Sequence, residues 1–399
     1  MDYSKYMNST IQDVKPSGIR RFFDIVNEME DVISLSIGEP DFKPPWHVRK
    51  AGIDSLENGK TWYTPNRGFK MLCSEVSNFV SRKYNLSYNP DTEILVTVGG
   101  SEALDVAIRC LVNPGDEVLV HQPSFVCYEP LTRMSGGNTV ILNTKAQNDF
   151  RLTAEELEAA ITEKSKVLIL SYPNNPTGAI MRKEDLEALC EVIKKHDLFV
   201  ISDEIYSELT YNSNHVSIAT LDGMRERTIV INGFSKAFAM TGWRLGYAMG
   251  PKEIIAMMTK LHQYCIMSAP TVAQYAAIEA LKNGDNDIEH MRTEYDMRRR
   301  FVVGSFNEMG LECFEPGGAF YCFPCIKSTG LTSEEFCTGL LHAKHVAIVP
   351  GDAFGDCGEG FVRVSYSYSL NHLTEAIGRI KEYLQELKDA DSGNSTGKN

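Results

Sequence analysis

Apolar runs that alternate with helical patterns constrain the fold of this chain more than any other feature. Residues 94–98, 117–120, 166–170 and 198–201 are apolar at most positions, and segments with helical spacing lie between them. Strands that are buried on both faces have this composition, because crossover helices cover the two faces of a parallel sheet. The pattern therefore predicts an α/β fold with a mainly parallel sheet between layers of helices.

The pattern changes after residue 292, and a length of 399 residues allows a second domain. A long charged helix is followed by short apolar runs at residues 320–323, 346–349 and 361–364, and then by a helix near residues 373–387. This succession predicts a second α/β unit that is smaller than the first and has fewer strands.

Charge and hydropathy disfavour several classes of function. The formal net charge of −13 repels nucleic acid and anionic membrane surfaces, so neither is expected as a partner. No apolar run approaches the roughly 20 residues of a membrane span, and the N-terminus has no secretory pattern, which predicts a cytoplasmic protein. The ten cysteines have neither zinc-ligand nor disulfide spacing, so we expect free thiols and no metal site.

One stretch, residues 232–247, carries a lysine and an arginine among small and apolar residues. Both flanks, 228–231 and 245–249, have the composition of buried strands, so Lys236 is expected in a partly desolvated turn. Desolvation disfavours the ammonium form and makes the nucleophilic amine accessible, and the positive charge of Arg244 adds to this effect. The planar donors of Arg244 also suit a phosphate. The alternative is that both residues are ordinary surface cations.

The same stretch holds a set of residues at closely spaced positions, namely Gly233, Ser235, Lys236, Ala239, Met240, Gly242, Arg244, Leu245 and Gly246. This set resembles the pyridoxal-phosphate attachment signature of the class I aminotransferases. The resemblance implies that Lys236 carries the cofactor as an aldimine. It also implies that Ser235 and Arg244 hold the cofactor phosphate.

The resemblance extends over nearly the whole chain and therefore has consequences for the architecture. It implies the fold type I architecture of pyridoxal-phosphate transferases, in which the N-terminal segment packs with the smaller C-terminal unit. We expect a large cofactor-binding domain at residues 45–290 and a small domain made of residues 1–44 and 291–399. The boundary falls inside the long charged helix.

A glycine-rich corner at residues 99–102 follows a predicted strand and precedes a helix. Free backbone amides and the positive end of the helix dipole let such a corner bind a dianionic phosphate, although many corners carry glycines for geometry alone. The resemblance makes Gly100, Ser101 and Glu102 part of a phosphate cup, with the amides of Ser101 and Glu102 as the donors.

Four further residues resemble those that surround the cofactor ring in this family. Asp203 ends a predicted strand, and its carboxylate would keep the ring nitrogen protonated, although an isolated aspartate there would be interpreted as a helix N-cap. Tyr206 and Asn175 would donate to the phenolate oxygen of the ring and so lower the proton affinity of the aldimine. From its composition alone the segment around Asn175 is a tight turn. Phe125 would stack on the ring, with ordinary core packing as the alternative.

Arg363 lies in an otherwise apolar strand, where an unpaired guanidinium would be too costly, so it needs an anionic partner. That partner is either a protein carboxylate or a ligand. The resemblance implies the α-carboxylate of the substrate, with Gly38 and Asn175 beside it. Tyr63 resembles the tyrosine that reaches the phosphate of the neighbouring subunit, which implies a homodimer with shared active sites.

These residues predict an aminotransferase that moves an amino group from an L-amino acid to a 2-oxo acid by a ping-pong cycle, with pyridoxal 5′-phosphate as cofactor. The freed Lys236 would serve as general base and acid, with Asp203 and Tyr206 as further catalytic residues. A β-lyase or a related enzyme is the alternative, because one fold serves several reactions. A regulator would need a basic DNA-binding region, and the segment before Gly38 is too short and too little basic to be one.

The substrate side chain would be selected by a few residues on loops. Candidates for contacting it are Ile19, Arg20 and Tyr264. Arg20 and Arg67 are candidates for binding a distal carboxylate, and for both of them a surface position is the alternative.

Overall fold

The computed structural model describes residues 1–14, 29 and 31–395, in which strands and helices alternate as the apolar pattern predicts. No helix within these ranges combines the length and the apolar character of a membrane span. The strands are β1 (Ile33–Ser34), β2 (Ile94–Thr97), β3 (Glu117–Gln122), β4 (Asn138–Asn143), β5 (Ser165–Ser171), β6 (Phe199–Asp203), β7 (Thr228–Gly233), β8 (Gly246–Met249), β9 (Tyr321–Cys322), β10 (Val346–Ala347), β11 (Val349–Pro350) and β12 (Val362–Ser365). The α-helices are α1 (Ser9–Asp13), α2 (Trp46–Glu57), α3 (Lys70–Tyr84), α4 (Gly99–Leu111), α5 (Tyr128–Met134), α6 (Ala154–Ala160), α7 (Lys183–Lys195), α8 (Lys252–Cys265), α9 (Thr271–Asn283), α10 (Asp285–Glu308), α11 (Ser333–Lys344) and α12 (Leu370–Ser395).

A seven-stranded sheet with the order β2-β8-β7-β6-β5-β3-β4 forms the centre of the described chain. The five strands from β7 to β4 pair in parallel, whereas β8 runs antiparallel to both of its neighbours. The predicted mainly parallel sheet is therefore confirmed. Residues 234–245 connect β7 to β8 through turns rather than a helix, and a chain without a crossover helix returns antiparallel.

Helices cover both faces of this sheet, which explains why its strands are apolar at nearly every position. Val96 and Val230 belong to the hydrophobic cluster that includes α3 and α9. Their neighbours Leu95 and Ile229 belong to the cluster of α4 and α8. Successive side chains of a strand point to opposite faces, so each of these strands needs apolar residues for both layers.

The C-terminal unit contains a smaller sheet and receives the N-terminal segment. β12 pairs antiparallel with β11 and β9, and β1 pairs in parallel with β10. Ile33 and Leu35 are buried in the hydrophobic cluster of this unit. The pairing of β1 with β10 agrees with the resemblance, which implies that the N-terminal segment packs with the C-terminal unit. Helix α10 continues unbroken through the expected boundary, and the division into domains stays a prediction.

Arg299 is fully buried on α10 and joins this helix to the turn that precedes β9. Its guanidinium pairs with the carboxylates of Asp296 and Glu315, each at 2.6 Å, and donates to the carbonyl of the residue after Glu315 at 3.1 Å. In the same turn Gly318 N donates to Gly178 O at 2.9 Å. The arginine therefore helps to hold this turn against the loop at residues 174–178, which lies at the edge of the large sheet.

We expect Arg299→Ala to lower the free energy of unfolding by about 3 kcal/mol, because a fully buried side chain would be removed, a buried backbone carbonyl would lose its donor, and the half-buried Asp296 carboxylate would lose one of its two cationic partners. Arg300→Ala is the matched control, since Arg300 pairs with the same carboxylate at 2.6 Å but is exposed. The control should change the free energy by less than about 0.5 kcal/mol. Urea unfolding of both variants measures the difference, and equal effects would contradict a structural role for the buried arginine.

Candidate active site

A cavity of about 520 Å³ lies beyond the carboxyl ends of β5, β6 and β7, where ligands of parallel sheets bind. The fold brings most of the predicted site residues together there, although they are far apart in the sequence. The predicted residues that line the cavity are Gly38, Gly100, Ser101, Phe125, Asn175, Asp203, Tyr206, Ser235, Lys236, Arg244 and Arg363.

Lys236 lies in the turn after β7, and its Nζ donates to Gly38 O at 2.6 Å. Burial lowers the pKa of Lys236 to about 8, and the charges of Arg363 and Arg244 lower it as well, whereas the Glu39 carboxylate acts in the opposite direction. Burial is thus the main cause, and the two arginines add to it. A substantial fraction of the lysine is therefore neutral, and nucleophilic, near physiological pH.

Asp203 is the last residue of β6 and is buried. Its Oδ2 accepts a hydrogen bond from Tyr128 Oη at 2.8 Å, and its Oδ1 accepts one from Ile205 N at 3.3 Å. Burial raises the pKa of Asp203 to about 6, although both hydrogen bonds favour the ionised form. Turns rather than a helix follow the residue, so it is not a helix N-cap. Among the described residues no cation pairs with this carboxylate.

Tyr128 is a site residue that the sequence analysis missed. It is buried, lines the cavity, and its ring lies edge-on to Phe125 with the centroids 6.0 Å apart. No local spacing signalled it, because Phe125 lies in the loop before α5 and Tyr128 is the first residue of the helix, so helical periodicity does not relate the two. An isolated tyrosine in an apolar context is usually core, and only the Asp203 contact identifies its place.

The predicted phosphate corner is the start of α4. Gly99 has a φ of +77°, and a Cβ there would lie 2.6 Å from Arg244 Nη2, so only glycine allows the guanidinium to lie over the corner. Gly100 and Ser101 follow and line the cavity. The first amides of a helix have no partner within it, and together with Arg244 they form a site for an anion.

Glu102 belongs to this corner through its backbone, whereas its side chain does not line the cavity. The carboxylate turns back, accepts from Val98 N at 2.5 Å and pairs with Nδ1 of the buried His262 at 2.6 Å. This arrangement keeps a negative charge away from the place expected for the phosphate. The prediction for Glu102 concerned only its amide, and it stays a prediction.

Arg363 is buried at the cavity wall, and among the described residues no carboxylate pairs with it. Its Nη1 donates to Asn175 Oδ1 at 2.8 Å and its Nη2 to Ser36 O at 2.5 Å. The Nε has no hydrogen-bond partner. The guanidinium carbon lies 4.7 Å from the ring centroids of both Tyr321 and Phe354. A buried cation without a protein anion points to a ligand as its partner.

Three predicted contact residues lie elsewhere, and two more are outside the described residues. Tyr63 and Tyr264 are 80% and 82% exposed and do not line the cavity. Arg67 donates to the carbonyl oxygens of residues 91 and 94, so it braces the backbone, and it does not line the cavity. Ile19 and Arg20 fall among the residues that the structure does not describe.

Comparison with known proteins agrees with the geometry of this cavity. A family model described as aminotransferase class I and II matches residues 30–380. The chain belongs to this family. The predicted aminotransferase activity and the predicted fold type I architecture are thereby confirmed.

Relatives of the aminotransferase resemble it over almost their entire length. It is 52% identical to a putative aminotransferase of Bacillus subtilis, over 96% of this chain and 99% of the relative. It is 46% identical to an aspartate aminotransferase of Pyrococcus abyssi, with the same coverage of both chains. An aromatic aminotransferase structure from Pyrococcus horikoshii matches with a TM-score of 0.88 and 44% identity, over 92% of this chain and 99% of that one. These names favour transamination over the β-lyase alternative.

The raised pKa of Asp203 has a consequence for the stability of the cofactor-free aminotransferase. Between the ordinary aspartate pKa of 3.8 and about 6, the folded chain holds a proton that the unfolded chain has lost, so stability falls as pH rises through this range. We expect Asp203→Asn to raise the free energy of unfolding by about 1–3 kcal/mol at pH 7.5, and the gain to shrink towards pH 5.

Urea unfolding of the apoprotein at pH 5 and pH 7.5 measures this gain. Asp54→Asn is the control, because Asp54 lies in an exposed ion pair with Lys50 on α2. The control should change the free energy by less than about 0.5 kcal/mol at both pH values. Destabilisation by Asp203→Asn that grows with pH would contradict the prediction.

Proposed function

We propose that this aminotransferase uses pyridoxal 5′-phosphate and transfers the amino group of an L-amino acid to a 2-oxo acid by a ping-pong cycle. The observation that carries the proposal is the arrangement of charges in one cavity. A lysine with a lowered pKa, a buried carboxylate, an arginine over a helix N-terminus and a buried arginine without a protein anion all line it. Each of these groups suits a different part of the cofactor or the substrate.

The donors at the start of α4 fit the cofactor phosphate. The amides of Ser101 and Glu102 would donate to it, as would the hydroxyl of Ser235 and the guanidinium of Arg244. The close approach of Arg244 to Gly99 supports this assignment, because it concentrates positive charge above free helix amides. A dianion is the ligand that such a set of donors favours.

The remaining lining residues fit the ring of the cofactor. Asp203 would pair with the ring nitrogen, Tyr206 and Asn175 would donate to the ring oxygen, and Phe125 would stack on the ring. Tyr128 would hold one oxygen of Asp203 and orient the other. When bound, pyridoxal phosphate supplies an electron-withdrawing ring that accepts the electrons of a broken bond at the substrate Cα.

The residues of the chain would bind the substrate and move its proton. Arg363 would bind the α-carboxylate through its planar donors, with Gly38 beside it. Lys236 Nζ would remove the proton from the substrate Cα and later deliver a proton to the cofactor carbon that is joined to the amino nitrogen. Among the described lining residues only Arg363 is a cation buried without an assigned anion. Amino donor and oxo-acid acceptor must then use it in turn, which supports the ping-pong order.

Aspartate and aromatic amino acids are the donors that we propose to test first, because relatives of 46% and 44% identity carry these substrates in their names. A panel of L-amino acids assayed against 2-oxoglutarate identifies the donor. Ammonia and pyruvate as products, in place of a stoichiometric oxo acid, would instead support elimination.

A homodimer with shared sites is supported by an exposed apolar surface. Asn66 Nδ2 donates to Met267 O at 2.8 Å and Thr271 Oγ1 to Trp62 O at 2.7 Å, so two segments of the chain lie side by side there. Contiguous exposed apolar residues mark protein interfaces. We name this surface the aromatic face, and it consists of Trp62, Tyr63, Tyr264, Ile266 and Met267.

A groove next to the aromatic face supports the proposed contribution of Tyr63. The groove has a volume of about 680 Å³ and includes Pro270 and Val272. It shares Thr241, Gly242 and Arg244 with the cavity. Tyr63 of the partner subunit would reach the phosphate site through this groove.

Two further assignments are proposals of the same kind. A cytoplasmic location is supported by the ten unpaired cysteines, because thiols persist in a reducing compartment. The division into a large domain at 45–290 and a small domain at 1–44 and 291–399 is supported by the pairing of β1 with β10.

We expect Lys236→Ala to lower turnover by more than about 1,000-fold, because no other described group in the cavity can carry the cofactor and move the Cα proton. The variant should also lack the visible absorbance that pyridoxal phosphate gives with the unaltered protein. Lys252→Ala, at an exposed lysine on α8, is the control and should leave both properties unchanged. Full activity of Lys236→Ala would refute the assignment.

A shared active site predicts complementation between two inactive variants. Random reassociation of Lys236→Ala and Tyr63→Ala subunits makes half of the dimers hybrid, and each hybrid has one site without either change. We therefore expect the mixture to recover about one quarter of the unaltered activity. If Tyr63 acted in its own subunit, no hybrid would contain an intact site and the mixture would stay as inactive as the separate variants.

A further inference from the structure

We propose that Tyr321 is a positioning residue of this site: its hydroxyl donates to Tyr206, and its ring fixes the plane of Arg363. The proposal rests on the proposed function, since Tyr206 and Arg363 are assigned there to cofactor and substrate. Tyr321 itself lines the cavity from β9, in the C-terminal unit, and is buried. From its sequence context it is predicted only as part of a strand.

The hydroxyl groups of Tyr321 and Tyr206 lie 2.8 Å apart, and the rings meet edge to face. A phenol has one proton to donate. If Tyr206 gives its proton to an oxygen of the cofactor ring, its own oxygen becomes the acceptor, and Tyr321 must be the donor. Such a chain polarises each of its members, so Tyr206 becomes a stronger donor than it would be alone. Burial raises the pKa of Tyr321, which keeps its hydroxyl protonated.

The face of the Tyr321 ring supports Arg363 on one side. The guanidinium carbon lies 4.7 Å from this ring centroid, and the ring of Phe354 lies at the same distance. A guanidinium packed against two aromatic faces is restricted in orientation without losing its N–H donors. The N–H donors at the edge of the guanidinium therefore stay available to a carboxylate.

Tyr321 also touches the segment that carries Gly38. A Cβ at Gly38 would overlap the Tyr321 hydroxyl, so only glycine lets the backbone lie against it. The carbonyl of Gly38 accepts from Lys236 Nζ at 2.6 Å. One side chain of the C-terminal unit therefore contacts Tyr206, Arg363 and Gly38, which come from three distant parts of the chain.

The hydroxyl is tested with Tyr321→Phe, which keeps the ring, in the protein loaded with pyridoxal phosphate. The readout is the pH midpoint of the visible absorbance of the bound cofactor. A weaker Tyr206 donor stabilises the ionised ring oxygen less, so the cofactor keeps its proton to higher pH, and we expect an upward shift of about half a pH unit. The value of kcat should fall several-fold, while KM for the amino donor changes less than about twofold.

Two further variants test whether Tyr321 acts through Tyr206 and whether the loss of another buried hydroxyl in the same core has the same effect. If Tyr321 acts through Tyr206, the midpoint of the double variant with Tyr206→Phe equals that of Tyr206→Phe alone. Tyr366→Phe is the matched control, because it removes a buried hydrogen bond to Ala319 O at 3.2 Å in the same core without lining the cavity. Its midpoint should stay at that of the unaltered protein.

The ring is tested with Tyr321→Leu, which should raise KM for the amino donor about tenfold above that of Tyr321→Phe. An unshifted midpoint in Tyr321→Phe, or additive shifts in the double variant, would overturn the hydroxyl role. Equal KM values for the Leu and Phe variants would overturn the role of the ring. If the unaltered protein develops no visible absorbance with pyridoxal phosphate, the proposed function fails and not this inference alone.

Discussion

The exclusion of water from charged side chains at one edge of an apolar sheet is the constraint on which the rest of this structure depends. Burial lowers the pKa of Lys236 and raises that of Asp203, so both are moved towards their neutral forms. Arg363 stays charged and has no carboxylate partner among the described residues. Burying each of these ionisable side chains costs folding free energy, and a ligand that supplies the missing opposite charges offsets this cost. This arrangement supports the anionic, polar cofactor and the amino acid substrate that we propose.

The architecture makes this arrangement possible because strand ends are placed independently of sequence distance. β5, β6 and β7 end side by side, which brings the 174–178 loop, Asp203 and the Lys236 turn to one edge. The antiparallel strand β8 then returns the chain, so that Arg244 reaches the start of α4. The C-terminal unit contributes Arg363 and Tyr321 from the other side of the cavity. Neither unit contains the whole set of groups.

Further side chains hold the functional groups of the cavity in place. Tyr128 donates to Asp203, Tyr321 pairs with Tyr206, and His262 holds the Glu102 carboxylate away from the phosphate corner. A phenol is well suited to this task, since its hydroxyl orients a neighbouring group without cancelling that group's charge. These contacts explain why buried aromatic residues, which would ordinarily only fill a core, are concentrated around this cavity.

The local sequence pattern was enough to predict the mainly parallel sheet and the turn that carries Lys236. A strand buried on both faces is a continuous apolar run, and Lys236 stands among small and apolar residues between two such runs. The resemblance extended this to Asp203, Arg244 and Arg363, all of which line the cavity. The antiparallel direction of β8 was not predicted, since an apolar run is the same in either direction. Tyr128 and Tyr321 were also missed, because a buried tyrosine is identical in sequence whether it fills a core or orients a neighbour. Which hydroxyl lies 2.8 Å from which acceptor depends on the packing of distant segments, and only the folded chain brings them together.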